Sequence, residues 1–453
     1  MRTSLACDLN QPIGVREVWR LAWPMTISML SFTAMSVADT LFVGWLGTTE
    51  LAAIGIASIA AFACSAFGMG LLAGVKIVTA HRIGARQNAE ANSLLWQGLW
   101  LCVAMGFVGV CLTPLIPMIF TWLNPDPQIQ ALGSEYLVVR MLGLPVGFTV
   151  IALTQWYQGF GDMKTPMVAN VGANGLNILL DPLFIFGWGG VPMLGMAGAA
   201  WATVIAWSVA VIGLLLHSRQ TLREAAWRPN GALINEVVRM GLPLGVQRIL
   251  GVLGFLLFSV VLGWCGEEHL AAHVLVMRIV SISFLPGYAI GESASVLVGQ
   301  AFGAERPKRA YEAWWTATWL AIVVMAICAT LFIAMPGVFL QPFRPEQSVF
   351  VLAAQLMVIA GLFQVFDAVA MVGLCCLAGA GDTRFSMFTT VSCMWLINLP
   401  LAVYLAVELE MGAPGAWWAM TAEITGIAAL CLWRIYSGRW MRRARGQNDA
   451  AAS

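Results

Sequence analysis

The chain has 453 residues, 60% of them hydrophobic and only 10% charged, with a formal net charge of +1. Soluble domains carry roughly a quarter charged residues, so an ordinary soluble protein is excluded. Nucleic-acid binding has no footing either, because the basic residues form no reading motif.

Taken from its start, the chain opens with a short polar stretch, Met1 to Arg20. It has no apolar core followed by a small-residue cleavage site, so it reads as retained rather than as a cleaved signal. A helix needs about 20 apolar residues to cross a bilayer. Twelve such runs follow. They begin near Val18, Leu51, Ser93, Leu132, Lys164 and Pro192, then near Asn235, Glu268, Ala313, Glu346, Arg384 and Gly412. None alternates polar and apolar residues as a membrane β-strand would. The expected fold is an all-α integral membrane protein of twelve transmembrane helices in two pseudo-symmetric six-helix lobes. Residues 1–218 form the first lobe, 219–234 a cytoplasmic linker, 235–437 the second lobe and 438–453 a basic cytoplasmic tail.

Charge asymmetry sets the orientation. Arg82, Arg86, Lys164, Arg219, Arg223, Arg228, Arg306, Lys308, Arg309 and Arg384 fall in one set of loops. Arg2, Arg16 and Arg20 join that set, as do Arg439, Arg442, Arg443 and Arg445 in the tail. The opposite loops hold Arg344 among acidic residues such as Glu50, Asp126, Glu267 and Glu268. Both termini are therefore expected in the cytoplasm of a cell inner-membrane protein, with the basic tail against anionic lipid. Most of the ten cysteines sit in apolar runs and read as small buried hydrophobes.

The two halves repeat. "EVWRLAWP" (Glu17–Pro24) matches "EVVRMGLP" (Glu236–Pro243), and "GWLGTTELAA" (Gly44–Ala53) matches "GWCGEEHLAA" (Gly263–Ala272). "GFGDMKTPM" (Gly159–Met167) falls on "GAGDTRFSM" (Gly379–Met387), and "GMAGAAW" (Gly195–Trp201) on "GAPGAWW" (Gly412–Trp418). An even number of spans per half implies a parallel repeat, the arrangement of transporters that rock one half against the other.

Ionisable groups within spans are costly and are functional candidates. Asp39 and Asp181 lie near the outer ends of spans 1 and 5, Asn177 one helical turn before Asp181, and Thr203 at a similar depth in span 6. This all-oxygen set suits a hard cation such as sodium. It equally suits a proton, because burial and a like-charged neighbour favour the neutral form of an acid. Pro24 removes a backbone hydrogen bond below Asp39 and can bend span 1. The second half lacks matching acids: Asp39 aligns with Phe258 and Asp181 falls near Leu401. It carries instead Arg248, Arg278, Glu292, Asp367 and Glu423, with Arg248 and Asp367 at comparable depth and able to pair. Arg248, Glu292 and Asp367, with Pro24, are candidates for gating or substrate contact. His269 and His273 have a metal-compatible spacing but no obvious third ligand, so no metal is expected. The glycine-rich "GFGDMKTP" lacks the Gly-Lys-Ser/Thr of a phosphate loop and reads as a helix-end turn, so ATP is not expected either.

Together "ADTLFVGWLGTTELAA", "GFGDMKTPM", "NILLDPLFIFG", "GMAGAAWAT", "SVLVGQAFGA" and "GAGDT" resemble the multidrug and toxic compound extrusion (MATE) family, in family order over nearly the whole chain. The resemblance implies a two-lobed, twelve-helix antiporter. Such a protein exports organic, often cationic or amphipathic, drugs and toxins in exchange for protons or sodium, with no other cofactor. It also implies that Asp39, Asn177, Asp181 and Thr203 form the cation site. One family branch adds a glutamate in span 7, whose place here is Gly251. That departure points to the DinF-like branch, which depends on the first-lobe acids. The expected partners are small organic solutes and membrane lipids, and the expected working form is a monomer. A flippase of a lipid-linked precursor is the alternative. An enzyme is not expected, because the four histidines have no convergent partners.

Overall fold

The computed structural model describes residues 13–123 and 126–441. The predicted tail residues Arg442, Arg443 and Arg445, and Arg2 at the start, lie outside the described residues. Regular structure among the described residues is helical, without strands. The principal helices are α1 (Val15–Gly44), α2 (Thr48–Gly84), α3 (Asn88–Leu112), α4 (Pro127–Leu142), α5 (Leu144–Gly159), α6 (Lys164–Phe186) and α7 (Met196–His217). They continue as α8 (Gly231–Trp264), α9 (Glu267–Gly303), α10 (Pro307–Ala334), α11 (Gln347–Gly379), α12 (Thr383–Glu408) and α13 (Gly412–Tyr436). Among the described residues eleven helices are long and apolar enough to cross a membrane, and α4 with α5 supply a twelfth span if the pair, bent by 49°, is taken as one. Pro145, in the first turn of α5, lacks the N–H that a straight helix would use there.

The repeat is visible in the helices. α2 and α9 both run 37 residues. α4 plus α5 corresponds to the unbroken α11. α6 is regular apart from Pro182, whereas its counterpart α12 is interrupted by π-helical turns at Cys393–Asn398 and Val403–Glu408. The repeated Gly-Asp turns share backbone form: Gly161 has φ 83° and Gly381 φ 87°, left-handed conformations that favour glycine. Their aspartates then diverge. Asp162 accepts the backbone N–H groups of Lys164 and Thr165, at 3.1 and 3.0 Å, and starts α6. Asp382 takes a two-nitrogen contact from Arg434, at 2.7 and 2.8 Å. The turn expected from "GFGDMKTP" is thus observed as a helix-starting turn.

The described residues divide into two compact units whose boundaries fall inside helices: 24–245, and 13–23 with 246–441. The physical reasons are specific contacts. In the first unit, the stretch expected as a cytoplasmic linker, 219–234, is tied to α3. Trp96 Nε1 donates to the Leu222 carbonyl, Trp100 Nε1 to that of Trp227, and Gln97 bonds Arg228 and Asn230. The start of α8 is tied to α2 by the Arg82–Glu236 ion pair. In the second unit, Glu17 pairs with Arg309 at 3.4 Å, and Thr316 donates to the Ile13 carbonyl at 3.1 Å.

Each unit has its own apolar core. That of the first centres on α2, α4 and α5, with Trp156, Tyr157, Phe120 and Leu72 fully buried. That of the second centres on α9, α11 and α13 around Phe258, Leu356 and Trp417. Cysteine burial is mixed: Cys102, Cys375, Cys376, Cys393 and Cys431 are buried as expected, but Cys64 and Cys111 are exposed on helix faces. The two histidines brace the start of α13. His269 Nδ1 accepts from the Ala413 N–H at 3.0 Å and His273 Nδ1 from Trp417 Nε1 at 3.2 Å.

Within the first unit, α2 and the start of α8 approach backbone to backbone through Gly70 and Gly74 on one side and Gly241 and Gly245 on the other. A methyl group on Gly70 would lie 2.6 Å from the Gly245 backbone, and one on Gly241 would overlap the Leu71 carbonyl. Small residues at such spacing let membrane helices touch closely. Gly241→Val is expected to cost about 1–3 kcal/mol or more through overpacking. Gly251→Ala, which meets open space, is expected to be neutral or stabilising by up to about 1 kcal/mol. Thermal unfolding in detergent distinguishes the two.

Candidate cation site

The four residues singled out in the first half converge in the first unit. Asp39 lies near the end of α1, Asn177 and Asp181 one turn apart on α6, and Thr203 in the second turn of α7. All four are buried, Asn177 and Asp181 completely. The Asp39 and Asp181 carboxyls are within hydrogen-bonding reach of each other. Neither oxygen of Asp181 receives a hydrogen bond from a donor among the described residues. Two carboxylates so placed are like charges in contact, and the arrangement is completed by a proton or a cation between them.

The Asn177 amide has two orientations open to it, one toward Asp39 and one toward Thr203. With its NH2 turned to Asp39 it donates to Asp39 Oδ1 at 2.9 Å, and its oxygen accepts from the Thr203 backbone N–H at 3.2 Å. Turned the other way, the NH2 donates to Thr203 Oγ1 at 3.3 Å. The first orientation satisfies an ionised Asp39, and the second leaves an amide oxygen free to accept from a protonated one. Sequence reasoning missed two further neighbours. Tyr136 is buried within electrostatic reach of both carboxyls. Arg140 acts electrostatically on Asp39 while its guanidinium lies 4.6 Å from the Trp207 ring centroid.

Below the acid pair the polar contacts continue. Asn170 Nδ2 donates to Ser28 Oγ at 3.1 Å, and Asn174 Nδ2 to Ser31 Oγ at 2.8 Å. Partners are separated by 142 and 143 residues, and Asp39 and Asp181 keep that offset. α1 and α6 are therefore parallel and in register along a polar ladder of about 16 Å, at 1.5 Å per residue. The signal was present in the sequence: Asn170, Asn174, Asn177 and Asp181 recur at helical spacing on one face of α6.

In the second unit the candidates do not assemble into a copy of this site. Arg248 does not pair with Asp367; its Nη2 donates to the Tyr288 hydroxyl at 3.1 Å. Comparable depth fixed height along the helices but not direction around them. Glu292 accepts from the Cys375 thiol at 3.7 Å and lies within electrostatic reach of Tyr288. Asp367 is half-buried on α11 within electrostatic reach of Glu423. Glu423 accepts from Asn398 Nδ2 at 2.5 Å. Pro24 is buried inside α1 at the point where the contacts of that helix pass from one unit to the other.

The MatE family profile matches residues 24–183 and 243–404, one match in each repeat. The chain belongs to the MatE family. It is 32% identical over 428 residues to a probable multidrug resistance protein NorM of Burkholderia pseudomallei, covering 92% of this chain and 91% of that one. It is 28% identical over 438 residues to a probable NorM of Thermotoga maritima, covering 95% and 94%. A crystal structure of MATE in complex with MaL6 superposes with a TM-score of 0.88 at 23% identity, covering 97% and 98% of the two chains. The likeness to that structure bears on the fold. Both curated relatives carry the name NorM rather than DinF.

In this MatE protein the ladder is testable by double-mutant cycle. Ser31→Ala with Asn174→Ala is expected to show a coupling of about 0.6 kcal/mol, below about 1.7. Ser28→Ala with Asn177→Ala, which share no rung, should be additive within about 0.5 kcal/mol. Unfolding free energies in detergent or bicelles supply the measurement, and additivity across Ser31–Asn174 would remove that rung.

Proposed function

We propose that this protein is a secondary antiporter that exports organic drugs and toxins, cationic or amphipathic, and that the exchanged proton or sodium ion binds at Asp39 and Asp181. One observation carries the site assignment: two buried carboxyls face each other while Asp181 has no donor among the described residues. Asn177 and Thr203 complete an oxygen set that holds a sodium ion or hydrogen-bonds a protonated acid. The family membership and the multidrug resistance names of the relatives support export. Neither NorM relative is named as a lipid flippase. Gly251, where one branch of the family has an acid, leaves the first-unit acids as the coupling groups and favours a DinF-like ion site.

The mechanism follows from charge. An ion entering from outside neutralises the acid pair, Asn177 changes its hydrogen-bond partner, and the top rung holding α1 to α6 changes with it. Solute export is thereby linked to the charge of one site. Pro24 offers the point at which α1 yields.

Asp39→Asn and Asp181→Asn are each expected to reduce ethidium efflux from cells by at least about tenfold at unchanged protein abundance. Imposing sodium and proton gradients separately on proteoliposomes identifies the ion. Full efflux by Asp39→Asn under either gradient would rule out the site assignment.

The protein is a multi-pass membrane protein, and the basic loops support an inner-membrane location with both ends in the cytoplasm. A green fluorescent protein fused after Ser453 should fluoresce, and alkaline phosphatase at the same place should be inactive; the opposite pair of results would invert the topology.

A further inference from the structure

Arg140 lies in the last turn of α4, half-buried in the first unit. Two helices fix its height. On α4 it stands one turn beyond Tyr136, which is within electrostatic reach of both carboxyls of the acid pair. On α7 its guanidinium lies 4.6 Å from the centroid of the Trp207 ring, one turn beyond Thr203 of the oxygen set. The ring is itself wedged against α5, where a methyl group on Gly147 would lie 2.7 Å from it. A guanidinium at membrane depth is costly and needs compensating charge. No carboxylate forms an ion pair with Arg140 among the described residues, and it acts electrostatically on Asp39. Glu135, the other charged residue of α4, is exposed.

We propose that Arg140 is a built-in counter-charge that makes the Asp39–Asp181 site accept a single monovalent cation and refuse a divalent one. The oxygens alone do not draw that distinction, because carboxylates, an amide and a hydroxyl also suit calcium or manganese(II). Two ionised carboxyls and one guanidinium leave a single negative charge. A proton or a sodium ion brings that sum to zero, whereas a divalent ion would leave a net positive charge in a poorly solvated place. Repulsion between Arg140 and a bound ion scales with the charge of the ion, so it weighs twice as heavily on a divalent ion. The guanidinium does this from beside the site: its place on the Trp207 face keeps it near the carboxyls without filling the space between them. Arg140 is in this sense a positioning residue for ion selectivity. The assignment rests on the reading that Asp39 and Asp181 hold the coupling ion, and adds to it the reason that this ion carries one charge.

The test uses manganese(II), whose free-ion electron paramagnetic resonance signal is lost on binding. Purified full-length protein is titrated with it, and binding at the site is the part that adding Asp39→Asn removes. That part should be weak in the parent and at least about tenfold tighter in Arg140→Gln. Arg140→Lys, which keeps the charge, should behave as the parent. Arg140→Met, which keeps an apolar stem against Trp207, serves if the glutamine variant does not fold. A residue needed only for packing would lower the affinity when replaced, not raise it. Equal Asp39-dependent affinity in the parent and the charge-deleted variants would overturn the assignment, as would tight Asp39-dependent binding by the parent itself. Tight manganese binding by Arg140→Gln, with full ethidium efflux by Asp39→Asn, would keep this assignment and sink the coupling-site reading. No gain in Arg140→Gln, with efflux lost in Asp39→Asn, would sink this assignment alone.

Discussion

In lipid, apolar surface gains nothing by leaving its solvent, so helices are held by close packing and by hydrogen bonds between them. That constraint governs this molecule. α2 meets the start of α8 at glycines, where the two backbones come closer than any side chain would allow. The same device recurs in both halves of the repeat. Gly159 packs against the Lys76 carbonyl in the first unit, and Gly379 against the equivalent Ser295 carbonyl in the second. Where glycines are absent, polar side chains do the holding, as in the rungs between α1 and α6.

The repeat preserves one of these devices and discards the other. Helix lengths, glycine contacts and the left-handed glycine of each Gly-Asp turn are duplicated. The asparagine face of α6 is not. Its counterpart α12 carries π-helical turns and a single buried amide, Asn398, bonded to Glu423. Phe258, which stands where Asp39 would be, packs on the His273 ring instead. The scaffold was therefore kept twice, while the charged chemistry diverged. The first unit has an acid pair; the second has an arginine bonded to a tyrosine hydroxyl.

Hydropathy made the spans legible, because length and apolar composition decide them almost alone. The observed helices begin within a few residues of the expected points. Asp39 and Asp181 were legible for a related reason: a carboxylate inside an apolar run stands out. What stayed hidden depends on direction around a helix rather than position along it. Arg248 and Asp367 share a height but not a face. Ser28 and Ser31 are unremarkable in sequence and gain meaning only when the asparagines opposite them are placed. The boundaries of the compact units were hidden too. They are drawn by contacts such as Arg82–Glu236 and Glu17–Arg309, not by any change in composition.

The matched rungs of α1 and α6 restrict how α1 can travel. Both helices space their polar groups alike, so a slide by one residue would break every rung at once. The next position at which side chains could meet again is a full turn away, about 5.4 Å. Swinging away from one end breaks the rungs in succession, with only a small cost at each step. The pairing therefore works as a mechanical filter: it resists axial slip and admits hinging, and the acid pair sits on its last tooth.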